Sequence, residues 1–374
     1  MYNSRVKTEE EYFLFYKTLA MKEVLRQCIG IDCAKEEHVA SFSVMESDHQ
    51  ITHYSTLTFK NSKSGFEKLN KWIKRQKPIP GLTFVMEATG VYHEQVACYL
   101  IDQNYFVSVL LPNKVKNFAK TLDIKSVNDK IAAQCLAIMG LEKKLSRWEK
   151  PSALLNQLRQ LTRERDQIIN ERTQTKCQLH AETSGAWPNS SSVKRMNQRL
   201  HILDKQVSEI ESEIDELVKS DVELLKKIKN CCTITGVGLL TAVTVIAETN
   251  GFALVKNKKQ LVSYAGLDVM HHSSGISVNK KPRISKHGNK YLRKCLHFPA
   301  LTAIRHNKSH KELFIRIVSK QGIKMKAAVA VQRKILVLIY TLWKSNQPFD
   351  PEYELKKSRN ELGQSRKTAL KELA

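Results

Sequence analysis

The chain has 374 residues, 42% of them hydrophobic, enough for two or three domains that each bury a core. Its 61 Lys and Arg against 37 Asp and Glu give a formal charge of +24, which points to a polyanionic partner, nucleic acid first and a membrane surface second. The stretches Gly238–Ala247 and Ile335–Trp343 fall short of the roughly 18 apolar residues that span a bilayer, so a membrane protein is excluded.

The N-terminus, Met1-Tyr2-Asn3-Ser4-Arg5, runs into Glu9-Glu10-Glu11 and lacks the basic, apolar and cleavage regions of a secretory signal. Residues 1–27 read as an N-terminal tail, and Met21 leaves the first 20 residues as an appendage or an upstream start. Cysteines 28, 33, 98, 135, 177, 231, 232 and 295 form no Cys-x-x-Cys pair and read as reduced, mostly buried, cytosolic thiols. Cys231-Cys232 with His271-His272 and His287 lacks zinc-ligand spacing.

Over residues 28–150 the pattern predicts strands at 28–32, 39–45 and 51–59, a helix at 64–76, a strand at 82–87, a helix at 91–103, a strand at 105–111 and a helix at 129–140. Three closely linked strands followed by alternating helices and strands describe a mixed α/β sheet, an order shared by ribonuclease-H-like folds. Ile29-Gly30-Ile31-Asp32 and Thr83-Phe84-Val85-Met86-Glu87 are buried-strand runs that each end in an acid. Acids at such strand ends converge on one sheet edge, and a helix opening with Asn128-Asp129 can add a third.

Pro151 opens a helical, highly charged regime that extends to residue 227. Leu200, Leu203, Val207, Ile210, Ile214 and Leu217 trace an a/d seam, and Leu154, Leu158, Leu161 and Ile168 a weaker one. The break at Ser184–Ser192 predicts an antiparallel helical hairpin or coiled coil, a pattern that suits dimerisation more than two helices packed on their own domain. Residues 228–348 form a mainly α unit whose Gly236-Val237-Gly238 turn would aim backbone N–H groups at phosphate, as in helix-hairpin-helix elements. A loop is expected from His271 to Val278, followed by a basic run that includes Lys280, Lys281, Arg283, Lys286 and Lys290. Residues 349–374 are charged and poor in apolar side chains, which reads as a mobile helix or a disordered tail.

Asp32, Glu87 and Asp129 suit a divalent-metal site for phosphoryl transfer. Residue 132, three positions after Asp129 on the same helix face, would be a fourth ligand position, but Ala132 has no donor. Ser274 adjoins the basic run, where a hydroxyl could attack a bound phosphate. His271, His272 or metal ions on the phosphate could supply the activation. Taken singly, each of these residues is also an ordinary turn or helix-start residue.

Together the motifs resemble one family. Gly30-Ile31-Asp32-x-Ala34-Lys35, Met86-Glu87-Ala88-Thr89-Gly90, Asn128-Asp129-x-x-Ala132-Ala133, Ile234-x-Gly236-Val237-Gly238, Ala265-Gly266-Leu267, Ser274-Gly275 and Ser285-Lys286-x-Gly288-x-x-x-Leu292-Arg293 are similar to those of the bridge-RNA-guided DEDD transposases of insertion-sequence family one-ten, kin to the pilin-gene invertase. The resemblance covers Cys28 to Asp350 and implies a RuvC-like domain, a coiled coil and a serine transposase domain. It implies a DNA recombinase, guided by a structured bridge RNA to donor and target DNA, that forms a phosphoserine link at Ser274. It further implies magnesium held by Asp32, Glu87 and Asp129, nucleic-acid contacts from the basic run and Arg293, and dimers that pair into tetramers with acids and serine from different subunits. A cytoplasmic, nucleoid-associated bacterial protein follows. Ala132 stands where the family carries aspartate, which implies a variant inactivated at that position. Two other readings are a metal-dependent nuclease similar to a Holliday-junction resolvase, with Ser274 only a turn residue, and a non-catalytic nucleic-acid scaffold.

Overall fold

The computed structural model describes residues 23–122, 128–274 and 278–352. The chain divides into two compact units, Met1–Lys150 and Pro151–Ala374. Among the described residues no helix is long and apolar enough to cross a membrane.

The first unit is built on a five-stranded sheet in the order β3-β2-β1-β4-β5. Its strands are β1 (Val24–Cys33), β2 (Glu37–Glu46), β3 (Ile51–Lys60), β4 (Thr83–Glu87) and β5 (Phe106–Leu110). β1 and β3 run antiparallel to β2, whereas β4 is parallel to both β1 and β5. This is the mixed ribonuclease-H-like arrangement that the sequence predicts. β1 starts four residues before the expected strand, because its pairing with β2 continues back from Cys28 to Val24.

Helices cover both faces, which is why the central strand Cys28–Ile31 is an unbroken buried run. Ile29, Ile31, Phe84 and Met86 pack with Phe66, Leu69 and Ile73 of α1 (Lys63–Arg75) and Val96 and Leu100 of α2 (Tyr92–Asp102). Cys28 and Val85 face the opposite way, onto α3 (Pro112–Ala119) and α4 (Asp129–Glu142). The sequence reading missed α3, a short helix whose start is marked by Pro112 at its first turn.

Two glycines set how α4 lies on the sheet. A Cβ at Gly30 would collide with the Ala133 carbonyl, and one at Gly140 with the Cys28 sulfur. As β1 runs back from residue 30 to residue 28, α4 therefore advances from 133 to 140. The helix is antiparallel to the strand, so its first turn lies over the strand end at Asp32.

The second unit opens with two 31-residue helices, α5 (Ala153–Thr183) and α6 (Ser190–Ser220). Each is about 46 Å long at 1.5 Å per residue. They pack together along Leu158, Leu161 and Ile168 on one side and Leu203, Ile210, Ile214 and Val218 on the other. Arg165–Glu211 and Arg172–Asp204 ion pairs bridge the flanks. The same apolar cluster continues into α7 (Val222–Cys232), α8 (Leu239–Glu248), α9 (Lys258–Tyr264), α10 (Lys290–Cys295), α11 (His297–His306) and α13 (Lys324–Ser345), while α12 (Lys308–Gln321) packs at its margin. The base of the helical pair thus shares a core with the helices that follow it.

Of the loop expected at 271–278, residues 271–274 and Val278 instead lie in two antiparallel paired strands, β6 (Val269–Ser274) and β7 (Val278–Ile284), while residues 275–277 lie outside the described residues. Two histidines and two serines hide the strand, because they remove the apolar alternation by which strands are recognised. The cysteines are free; Cys28, Cys33, Cys135 and Cys231 are buried as expected, but Cys177 is exposed.

Candidate active site

Asp32 and Glu87 leave adjacent parallel strands one step beyond the Ile31–Met86 pair. Asp129 begins α4 and enters from above, where Asn128 caps the helix by accepting from the Ile131 N–H at 2.9 Å. Burial pushes the half-buried Asp32 carboxyl up to about 6, with smaller upward contributions from the charges of Asp129 and Glu87. Cys33 is pushed to about 12, mostly by burial and then by Asp32 and Glu87. Burial, followed by the Glu87 charge, also raises Cys135.

A negative field is therefore concentrated at one sheet edge. Among the described residues no Lys or Arg forms an ion pair with Asp32, Glu87 or Asp129, and the Thr89 hydroxyl reaches Glu87 at only 3.5 Å. All the donors are carboxylate oxygens, which fits a hard divalent cation. Among the described residues, however, no three His, Cys, Asp or Glu side chains are close enough to form a closed metal cage. Ala132 lies half-buried one turn after Asp129, its N–H donating to the Asn128 carbonyl at 2.8 Å, and offers no donor side chain.

In the second unit the backbone of Ser274 ends β6, paired with Val278. The side chains of Ser274, Lys280 and Lys281 lie outside the described residues. Gly236 has φ +91°, and a Cβ there would strike the Pro299 carbonyl, so the glycine serves the close approach of the α7–α8 turn to α11. Gly238 is the N-cap of α8, with open space around it. Arg283, Lys286 and Lys290 are exposed. Lys290 lies 5.1 Å from the Tyr291 ring centroid.

Two motifs that read as separate in sequence are one clamp in the structure. Lys286 N–H donates to the Gly266 carbonyl at 3.1 Å and Asn289 N–H to the Tyr264 carbonyl at 2.8 Å. A Cβ on Gly288 would strike the Tyr264 carbonyl and the Gly266 nitrogen. Ser285 Oγ donates to Asp268 at 2.6 Å. Arg293, expected from the sequence to contact nucleic acid, donates through Nη1 to the Ala265, Gly288 and Asn289 carbonyls at 2.9, 3.1 and 3.3 Å. Its positive charge is thus spent in part on closing the clamp.

Beneath the clamp lies a network that the sequence reading missed. Glu248, 1% exposed, accepts a bidentate pair from Arg163 of α5 at 2.6 and 2.8 Å and a bond from Asn289 at 2.6 Å. The Arg163 guanidinium lies 4.8 Å from the Tyr291 ring centroid. The only hint in sequence is an acid at the end of an otherwise apolar helix.

The mixed five-stranded sheet with helices on both faces is a ribonuclease-H-like arrangement, and the comparisons with known proteins specify the family. Residues 29–188 match the DEDD transposase domain of IS110 elements, and residues 229–314 match the domain described as "Transposase IS116/IS110/IS902 family". The pilin gene-inverting proteins of Moraxella lacunata and Moraxella bovis are 29% and 28% identical over 330 and 328 residues, covering 86% of this chain and 97% of theirs. The transposase for insertion sequence element IS1111A of Coxiella burnetii is 30% identical over 145 residues, 37% of this chain and 38% of its own. Thermus thermophilus RuvC in complex with a Holliday junction aligns at 12% identity and a TM-score of 0.25, over 33% of this chain and 99% of RuvC. The chain carries both transposase domains of the IS110 family and is a DNA transposase/recombinase.

Proposed function

We propose that the protein is an RNA-guided recombinase that cuts and rejoins donor and target DNA through a phosphoserine at Ser274. The observation that carries the catalytic part of this reading is that Asp32 and Glu87 end adjacent parallel strands at one sheet edge, over which α4, antiparallel to β1, brings its first residue Asp129. Asp32, Glu87 and Asp129 would hold magnesium, which when bound neutralises charge on the scissile phosphate. The Ser274 hydroxyl loses its proton and forms the new P–O bond as the bond from phosphorus to the deoxyribose oxygen breaks, that oxygen takes up a proton, and the phosphoserine ester keeps the bond energy for rejoining. The +24 charge and the family's basic motifs support a structured bridge RNA as a second polyanionic partner. Homodimers pairing into tetramers, and residence in the cytoplasm near the nucleoid, complete the reading. Position 132 carries the defect, a methyl group where a fourth carboxylate would stand.

The test uses the Ala132→Asp protein, its bridge RNA and labelled donor and target DNA. A serine nucleophile leaves a protein–DNA adduct on denaturing gels that protease removes, whereas an activated water leaves free ends. Adding Ser274→Ala should abolish the adduct and spare RNA and DNA binding, since one hydroxyl contributes little beside Lys/Arg–phosphate contacts. Full cleavage by the Ser274→Ala protein would identify a resolvase-like nuclease instead. An adduct mapped to Ser273 or Ser277 would displace the assignment of Ser274.

A further inference from the structure

Beside the β-hairpin the second unit forms a groove of about 690 Å³ that includes Arg283 and Lys286 of the basic run. Leu267, Ile284, Ile317, Val329 and Ala330 line it with apolar surface. Arg283, Lys286, Lys326 and Arg333 also line it, and the lining contains no carboxylate. Among the described residues none of these four cations makes an ion pair. Three further apolar lining residues, Val269, Ile323 and Met325, are 46%, 49% and 60% exposed.

The occupant must satisfy both kinds of surface. A purely apolar ligand leaves the four cations unused, and an acidic peptide sets charge against the apolar wall. A nucleotide has an apolar planar face with a phosphate on either side, and guanidinium planes such as those of Arg283 and Arg333 also stack on bases. The groove is also linked to the strand that carries Ser274. Hairpin pairing runs from Val269 opposite Ile284, which line the groove, to Ser274 opposite Val278. That is five residues of strand, about 17 Å at 3.3 Å per residue.

We infer that this groove receives an unpaired base of single-stranded DNA, with the flanking phosphates on Arg283, Lys286, Lys326 and Arg333. The choice of DNA over RNA rests on the proposed role of Ser274, but the groove itself can be tested without any cleavage. Captured there, the base would fix the register of a displaced strand relative to the hairpin. Val269, Ile323 and Met325 would be exposed because the nucleobase, not protein, covers them.

The experiment measures fluorescence anisotropy of the full-length protein with a labelled oligothymidylate, an abasic strand of equal length, an oligouridylate and a duplex. Oligothymidylate should bind about tenfold more tightly than the abasic strand, as expected for one or two stacked bases. Met325→Ser and Ile323→Ser, both exposed, should each erode that preference, and Ala330→Trp, which fills the groove, should remove it. Duplex and abasic binding should be unchanged, and light-activated cross-linking of 5-iododeoxyuridine should label Met325 or a neighbouring lining residue. A base preference that survives all three substitutions overturns the inference, as does a groove-dependent preference for oligouridylate. Loss of a dimer on light scattering, with base preference intact, would assign the groove to a protein partner and also overturn it. Base capture in the groove without a phosphoserine adduct would remove the nucleophile and keep the groove.

Discussion

Asp32 and Glu87 stand side by side because β1 and β4 are parallel neighbours in register at Ile31 and Met86, so both strands deliver an acid to the same edge one residue later. Each apolar strand holds its carboxylate at the boundary of the core, and part of the ionisation penalty on Asp32 comes from Glu87.

That penalty predicts a pH-dependent stability. The Asp32 carboxyl in the folded, metal-free protein titrates at about 6, above its ordinary value of 3.8. Between those values the folded state binds more protons than the unfolded state, so stability from this group is present at low pH and is lost as pH rises through about 6. Asp32→Asn should therefore raise the melting temperature at pH 8 and change it little at pH 4. Equal shifts at both pH values would show that Asp32 does not carry the penalty.

Ala132→Asp should sharpen both sides of this balance. A fourth carboxylate one helical turn from Asp129 adds repulsion in the metal-free protein and a ligand when the cation is present. The expected result is a lower melting temperature in EDTA, a larger rise on adding magnesium, and recombination between two plasmids increased by several orders of magnitude when RNA is supplied. Identical magnesium responses in the two proteins would remove residue 132 from the metal site.

The carboxylate edge was legible in sequence because each component is local: two apolar runs ending in acids and a capped helix start. Ile31 and Met86 announce buried strands by composition alone, and Leu203, Ile210 and Ile214 announce the helical seam by spacing. The clamp was not legible. Gly266 and Gly288 are 22 residues apart, and nothing in either motif says that the other's backbone lies against it. The carbonyl bonds of Arg293 are not legible either, because a carbonyl-bound arginine and a free one have the same one-letter pattern. The strand β6 is illegible for a different reason, since the run His271-His272-Ser273-Ser274 contains no apolar residue and so offers no period of two.

Gly30→Ala tests how α4 is held over the sheet. The added methyl would meet the Ala133 carbonyl, backbone that can yield only by lifting the helix. A cost of about 1–3 kcal/mol is expected from overpacking, read as a lower urea midpoint. The Asp32 pKa should also fall toward its ordinary value as α4 rises and Asp129 recedes, measurable by carbon-13 NMR of labelled aspartate. A stability change within about 0.5 kcal/mol would show that the contact is not tight.

Arg163→Leu tests whether the Glu248 network holds the clamp. Glu248 is almost fully buried and would keep only Asn289 as a side-chain partner, so its carboxylate loses a bidentate charged pair. Breaking a buried pair from one side costs about 3–5 kcal/mol, and the lower end applies because the Arg163 side chain is 40% exposed. Asn289 also caps α10, accepting from Tyr291 and Leu292 N–H at 2.9 and 3.2 Å, so the disturbance should pass into the basic run. Amide exchange over residues 285–293 should accelerate more than exchange in β1 and β4 of the first unit. Adding Glu248→Gln should recover part of the lost stability by removing the unpaired charge. If the double variant is less stable than Arg163→Leu alone, the penalty does not come from an unpaired Glu248 charge, and this account of the network fails.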